Sequence, residues 1–152
     1  MEPGRLAYAL RFHRPPKTAA APEPVATAPS AAMTTAISDG DVRATLSAIP
    51  GGEAVLGTHY RLNHDGSMFF EWGTIDFGGA GLRFGSVGAG TMLGPAAADG
   101  FSHGVVLWRV ESGWGAFEGA TGAITSNFLV ALETQELIDY QFHVIQLPVS
   151  SR

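Results

Sequence analysis

From residue 54 onwards the sequence consists of short runs in which apolar and polar residues alternate. Such alternation is typical of β-strands with one buried face, because successive side chains of a strand point to opposite sides. Glycine, proline and aspartate separate the runs at intervals of roughly 8–12 residues, as in strands linked by tight turns. The pattern predicts an all-β fold of about six to eight antiparallel strands, either an up-and-down barrel or a closed sandwich.

The first predicted hairpin joins 54–63 to 67–77 through the turn residues 64–66, which read His-Asp-Gly. An Asp-Gly turn between two alternating runs is a strong hairpin signal. Pairing Leu62 with Met68 places Tyr60, Phe70 and Trp72 on one, aromatic face. The opposite face is the charged one and carries His59, Arg61 and Glu71, with Phe69 opposite Arg61.

The last predicted hairpin joins 123–132 to 137–147. Pairing Leu132 with Ile138 aligns apolar residues across the two strands, and this matching is the reason for choosing the register. The other face of the hairpin then collects polar side chains, which are Thr125, Asn127, Gln141 and His143.

Residues 1–14, 82–92 and 102–111 also alternate and predict three further strands. Their apolar faces comprise Leu6, Tyr8, Leu10 and Phe12 in the first, Leu82 and Phe84 in the second, and Val106, Trp108 and Val110 in the third. The segment 38–49 predicts a short helix that begins near Ser38, with a strand as the alternative.

Residues 15–36 are rich in proline and alanine and show no periodicity, which predicts an extended, solvated linker. The predicted organisation is a mostly disordered N-terminal extension, 1–36, followed by a barrel domain, 37–152. Met33 would itself serve as a translation start, which makes residues 1–32 a candidate appendage.

Composition narrows the function classes. The absence of cysteine removes disulfides, thiolate metal sites and thiol catalysis, and a net charge of −5 argues against a nucleic-acid partner. No run approaches the ~18 apolar residues of a membrane-spanning helix, so no membrane association is predicted. Because charged residues interrupt the N-terminal apolar residues, we expect no secretory signal and a cytoplasmic location, with a processed transit peptide as the alternative. A charged content of only 15%, with many apolar strand faces, predicts a homo-oligomer, either a dimer or a trimer.

A glycine-rich element directly precedes the last hairpin, and its key positions are Gly113, Gly115, Phe117, Gly119, Ala120 and Gly122. It resembles the Gly-x-Gly-x-Phe-x-Gly-Ala-x-Gly element of the allene oxide cyclase and dirigent-protein barrels, and the resemblance covers roughly residues 73–147. A β-like run follows the element, whereas a nucleotide-binding glycine loop opens a helix. The neighbouring calycin-like barrels, including the lipocalin-like families, remain alternatives.

The resemblance implies a closed antiparallel eight-stranded barrel whose apolar cavity holds a small hydrophobic organic ligand. It also implies chemistry without a cofactor in the cyclase branch, and guidance of a ligand without a conventional active site in the dirigent branch. Two function hypotheses follow. The first is a cofactor-independent cyclase or isomerase-like enzyme, and the second is a non-catalytic dirigent- or lipocalin-like binding barrel.

Four side chains are candidates for catalysis: Glu71, His143, Asn127 and His103. Glu71 belongs to the predicted polar face of the first hairpin, where a carboxylate is able to act as a base. His143 and Asn127 share a predicted face of the last hairpin, and His103 shares one with Arg109. Each set also suits a solvated outer face or a subunit contact. No histidine spacing typical of zinc occurs, so no metal site is predicted.

Aromatic residues on the predicted apolar faces are candidates for substrate binding, because an eight-stranded barrel is wide enough for one small ligand. Plain core packing is the alternative for the same residues. The candidates are Tyr60, Phe70, Trp72, Phe84, Trp108, Phe128, Tyr140 and Phe142.

Overall fold

The computed structural model describes residues 4–28, 31–38, 41–48, 53–96 and 98–148. Within these residues the chain forms eleven β-strands and a 3-10 turn at Gly115–Phe117. The strands are β1 Arg5–Arg14, β2 Ala26–Ala28, β3 Ala31–Ser38, β4 Asp41–Ala48, β5 Ala54–Leu62, β6 Met68–Asp76, β7 Gly81–Ser86, β8 Gly90–Pro95, β9 Ser102–Trp114, β10 Thr121–Val130 and β11 Leu137–Gln146.

The main sheet is a closed antiparallel barrel. Its strands follow the order β10-β11-β1-β2-β5-β6-β7-β9, and β9 pairs back with β10 to close it. Strands β7 and β8 share one position, because both pair with β6 and β9, β7 near one end and β8 near the other. The barrel therefore has eight strand positions, which confirms the predicted fold class.

Strand β1 lies between β11 and β2 and is part of the barrel wall. Ten consecutive residue pairs join it to β11, from Arg5 with Gln146 to Arg14 with Leu137. Its side chains alternate as predicted, with Tyr8 buried inside. The predicted extension, 1–36, included this strand because the proline-rich run follows it. The structure corrects that boundary, since the barrel includes residues 5–14.

Strands β3 and β4 form a separate two-stranded antiparallel sheet. The predicted helix over 38–49 is wrong, because Asp41–Ala48 is a strand, as the alternative had it. The sequence carries a signal for this hairpin that the helix prediction overlooked. Asp-Gly at 39–40 is the dipeptide most typical of two-residue hairpin turns.

The β5–β6 hairpin pairs Leu62 with Phe69 rather than with Met68, a shift of one residue from the prediction. Asn63 sets the register: its N–H donates to the Met68 carbonyl at 2.9 Å, and its Oδ1 accepts from the Met68 N–H at 3.1 Å. A shift of one residue exchanges the two faces. Glu71 therefore lies opposite Tyr60 inside the barrel.

The β10–β11 hairpin pairs Val130 with Leu137, a shift of three residues from the prediction. The turn at 131–136 sets this register through hydrogen bonds from Ala131 N–H to the Glu136 carbonyl and from Gln135 N–H to the Ala131 carbonyl. A shift by an odd number again exchanges the faces. The polar residues of β11 therefore point into the barrel, and its aromatic residues point outward.

Half of the barrel interior is a closely packed apolar core. The predicted inner faces of β7 and β9 are confirmed, and Phe84 and Trp108 stack there with ring centroids 4.0 Å apart. Rings also fill the end of the barrel at the glycine element, where Phe77 and Phe117 lie 5.2 Å apart. Fully buried aliphatic side chains complete this half, including Ile75, Leu82, Ile124 and Ile145.

The glycines of the 113–122 element allow the backbone to approach neighbouring strands closely. A Cβ at Gly113 would collide with the Phe117 carbonyl, and a Cβ at Gly122 would collide with the Val144 carbonyl on β11. Gly122 also has a φ of +147°, a conformation that side-chain-bearing residues rarely adopt. The element is thus a structural corner that closes the barrel end.

We predict that Gly122→Ala destabilises the protein by at least about 2 kcal/mol, because both the φ angle and the carbonyl contact oppose a Cβ. Gly57→Ala is the matched control: Gly57 is also a strand glycine, but its Cβ would meet only Thr74 Oγ1 at 3.7 Å. Urea unfolding of both variants tests this. Equal losses of stability in the two variants would contradict the close-approach argument.

Candidate active site

A cavity of about 510 Å³ occupies the other half of the barrel. It lies at the end formed by the β5–β6 loop and the β10–β11 turn, away from the glycine corner. A volume of this size suits one small organic molecule. The closed barrel therefore combines a filled half and a hollow half.

The cavity wall is largely aliphatic and aromatic, and it is formed by Leu56, Phe69, Met92, Phe128, Val130 and Leu137. At the mouth lie Tyr60, Leu132 and Arg14, together with Gln135 of the β10–β11 turn. Arg14 donates from Nε to the Gln135 carbonyl at 2.8 Å, which ties the turn to β1. A ligand in the cavity would contact mainly apolar surface.

Two carboxyl groups face this cavity, Glu71 from β6 and Asp139 from β11. Burial raises the pKa of Glu71 to about 7, and the negative charge of Asp139 adds to the effect. Two neighbouring donors, the Thr58 hydroxyl and the Trp108 indole N–H, lower the pKa of Glu71 and offset part of this rise. The Trp108 N–H makes no hydrogen bond of ordinary geometry among the described residues. Glu71 is thus able to hold or release a proton near neutral pH.

Asp139 is only 2% exposed and accepts two short hydrogen bonds. Ser126 Oγ donates to Oδ1 at 2.6 Å, and Gln141 Nε2 donates to Oδ2 at 2.6 Å. Burial raises the pKa of Asp139 to about 6, and the two donors limit that rise. The pKa values of both carboxyl groups are therefore raised toward neutral pH, to about 7 for Glu71 and about 6 for Asp139.

His143 lies deeper, beyond Gln141, and is fully buried. Burial lowers its pKa to about 3, so the imidazole is neutral at physiological pH. Its Nε2 lies 2.9 Å from Gln141 Oε1, and its ring packs on that of Tyr8 at 4.7 Å between centroids. The side chain does not line the cavity.

Of the four predicted catalytic residues, Glu71 alone lines the cavity. His143 is buried next to the site, through Gln141. Asn127 is exposed on the outer face, where it lies opposite Tyr140, and His103 is also on the outer face of its strand. The predicted pairing of His143 with Asn127 does not form, because the two side chains point to opposite sides of the wall.

The predicted binding aromatics fall into three groups. Tyr60 and Phe128 line the cavity. Phe84 and Trp108 are packed in the filled half. The remaining four project from the outer surface of the barrel, and they are Phe70, Trp72, Tyr140 and Phe142. Their predicted faces were wrong because both hairpin registers were off by an odd number of residues.

Sequence reasoning missed Asp139, Ser126 and Gln141 as site residues. The signal was present in β11, where polar residues at 139, 141 and 143 alternate with apolar ones at 140, 142 and 144. Alternation alone does not say which set points inward. The predicted polar face grouped Gln141 and His143 with Thr125 and Asn127, and whether that face points inward stayed open. The barrel places Gln141 and His143 inside and Thr125 and Asn127 outside.

The described residues contain neither a cluster of metal ligands nor a membrane-spanning helix. Among them, no three His, Cys, Asp or Glu side chains lie close enough together to hold a metal ion. No helix in the described part of the chain is long and apolar enough to cross a membrane.

No protein-family model and no curated protein matches the chain. Among solved structures it is similar to a pterocarpan synthase dirigent protein, with 13% sequence identity and a TM-score of 0.49. That match covers 100% of this chain and 91% of the other. Because both the identity and the TM-score are low, the function has to be argued from the cavity itself.

The raised pKa of Glu71 predicts a pH-dependent effect on stability. Between its ordinary pKa of 4.5 and about 7, the folded protein holds a proton on Glu71 that the unfolded chain has released. The stabilising contribution of this group is therefore full below pH 4.5 and is lost as the pH rises through 7. We expect Glu71→Gln to become more stable relative to the parent over this range, by on the order of 2 kcal/mol.

Chemical denaturation of parent and variant at several pH values measures this difference. The contribution of His143 cancels in it, whereas the repulsion between Glu71 and Asp139 is part of what is measured. Glu118→Gln is the control, because it removes a negative charge from an exposed site outside the cavity. A relative stability of Glu71→Gln that does not change with pH would contradict the buried, protonated carboxyl.

Proposed function

We propose that this protein is a cofactor-independent isomerase or cyclase that acts on a small hydrophobic molecule held in the barrel. The observation that carries the proposal is the pair of carboxyl groups, Glu71 and Asp139, facing one apolar-walled cavity. A purely aromatic pocket would favour simple binding, and a filled barrel would favour a structural role. The carboxyl pair favours proton-transfer chemistry.

The pair suits a reaction that moves a proton without changing the formula of the substrate. One carboxylate accepts a proton from a C–H or O–H bond, and the other carboxylic acid delivers its proton to a different atom of the same molecule. The new C–C, C–O or C=C bond forms as the old bond breaks. Proton exchange with water then restores the starting protonation of the pair.

The cavity wall contributes to such a reaction in two ways. Its apolar side chains exclude water, which strengthens the interaction of a developing charge with the two carboxyl groups. Its limited volume also restricts the conformations of a flexible substrate and favours those close to ring closure. A hydrophobic substrate without a strong negative charge fits this environment, because Asp139 would repel an anion inside the cavity, and the cationic Arg14 lies at the mouth.

The second candidate is a non-catalytic binding barrel, similar to the dirigent or lipocalin-like proteins that the glycine element at 113–122 resembles. It is favoured by the large apolar share of the wall, which includes Phe69 and Phe128. In that case the two carboxyl groups would serve only to orient hydrogen-bond donors of the ligand.

A two-stage assay separates the two functions. Uncharged hydrophobic compounds are first selected by their ability to displace N-phenyl-1-naphthylamine, a neutral fluorescent dye, from the parent protein. Bound compounds are then incubated with protein and examined by chromatography and mass spectrometry. We expect a product of unchanged mass and altered retention, formed at least about 100-fold more slowly by Glu71→Gln and Asp139→Asn.

Both variants should still bind the dye, which controls for folding and for the integrity of the cavity. Thr125→Ser is a further control, because it alters a polar side chain on the outer face of the same hairpin. If every bound compound is recovered unchanged, the proposed enzymatic function is contradicted and the non-catalytic binding function remains.

We also propose that the chain assembles into a homo-oligomer through the outer face of β6. Phe70 and Trp72 project from it with exposed fractions of 53% and 49%. Exposed aromatic residues of this size are typical of interfaces. Light scattering at micromolar concentration should give a dimer or trimer, and Trp72→Glu should reduce the mass toward the monomer. A monomeric parent would contradict this assembly.

A further inference from the structure

Three polar side chains of β11 form a hydrogen-bonded row along the barrel axis. Asp139, Gln141 and His143 are each at most 2% exposed. Gln141 Nε2 donates to Asp139 Oδ2 at 2.6 Å, and His143 Nε2 lies 2.9 Å from Gln141 Oε1. Asp139 alone reaches the cavity, so contact with a ligand does not account for the other two.

The donor and acceptor roles along the row follow from chemistry. A neutral imidazole carries one N–H, and an amide oxygen only accepts. The contact between His143 and Gln141 Oε1 therefore requires the proton on Nε2, which leaves Nδ1 as a buried acceptor without a partner among the described residues. Because His143 donates to Oε1, the amide of Gln141 is held with its Nε2 toward Asp139.

This orientation distinguishes the two cavity carboxyl groups. Asp139 receives donors from Gln141 and Ser126, which favour its ionised form. Besides Asp139, the cavity lining includes the titratable groups Glu71 from β6, Tyr60 from β5 and Arg14 from the neighbouring strand β1. On its own strand, His143 lies beyond Gln141 and is neutral. Thr58 and the Trp108 indole are the donors next to Glu71, but Trp108 Nε1 makes no hydrogen bond of ordinary geometry, and Glu71 also faces the negative charge of Asp139.

We propose that Gln141 and His143 are positioning residues that hold Asp139 as the proton acceptor of the cavity and leave Glu71 as the proton donor. The catalytic meaning of these roles rests on the proposed isomerase or cyclase function. The geometry of the row does not depend on that function, so the two are testable separately.

The first test uses the unaltered protein. Nitrogen-15 NMR of the His143 ring distinguishes its two neutral tautomers and the imidazolium. We expect the Nε2–H tautomer throughout pH 5–8, with a Gln141 amide resonance shifted by its hydrogen bond to Asp139. An Nδ1–H tautomer or an imidazolium in this range would overturn the proposed orientation of the row.

The second test measures the pKa of Asp139 in variants by carbon-13 NMR of its carboxyl group, with no ligand. Gln141→Met keeps the length of the side chain and removes the donor, so the Asp139 pKa should rise by about one pH unit. His143→Phe keeps the packing on Tyr8 and loses only the orienting proton, so a smaller rise is expected. Val144→Thr, on the outer face of β11, is the control.

An Asp139 pKa that Gln141→Met leaves unchanged would overturn the proposal. Should that variant not fold, the His143→Phe titration and the tautomer of the parent remain decisive. Once a substrate is found, the acidic limb of the pH–rate profile should move upward in Gln141→Met with little change in KM. If Asp139→Asn retains full turnover, the proposed enzymatic mechanism is contradicted. The NMR results still test the hydrogen-bonded row of Asp139, Gln141 and His143 independently.

Discussion

The register of the β10–β11 hairpin is the constraint on which the site depends. Pairing Val130 with Leu137 directs every second residue of β11 into the barrel, beginning with Leu137 and Asp139. Because the pleat has a period of two, any odd shift would place Tyr140 inside and move the polar row into solvent. The hydrogen bonds of the 131–136 turn therefore determine the chemistry of the cavity, although most of that turn lies at the rim.

Burying a row of polar side chains opposes folding unless each group finds a partner. Asp139 and Gln141 do so through short hydrogen bonds, but Tyr8 Oη and His143 Nδ1 are buried without any among the described residues. An apolar row of similar volume would avoid these costs, as replacements of buried polar groups often do. Because this barrel accepts these buried polar groups, it keeps two carboxyl groups at a site that is largely shielded from water. Such burial raises carboxyl pKa values toward neutral pH, where a carboxyl group is able both to donate and to accept a proton.

The fold was predictable from the sequence to the extent that it depends on alternation and turn chemistry. Alternation alone identified the inner faces of β1, β7 and β9, and the glycine element marked the corner before the last hairpin. Hairpin registers were not predictable in this way, because matching apolar residues assumes that apolar side chains point inward. That assumption fails in this barrel, because polar side chains line the hollow half. Glu71 was therefore predicted opposite His59 instead of Tyr60, and Asp139 was not predicted as a site residue.

The glycine corner also closes the end of the barrel that lies opposite the cavity. Gly115 brings the backbone against Gly79 and Ala80, and Phe117 packs its ring near Phe77 beneath the core. A Cβ at Gly115 would collide with the Gly79 carbonyl, so this close approach requires glycine there. The cavity lies at the opposite end, next to the β5–β6 loop and the β10–β11 turn, and Glu71 and Asp139 are part of its lining. The element that indicated a family resemblance thus contributes to the cavity only indirectly, because it closes the filled half of the barrel and none of its residues lines the cavity.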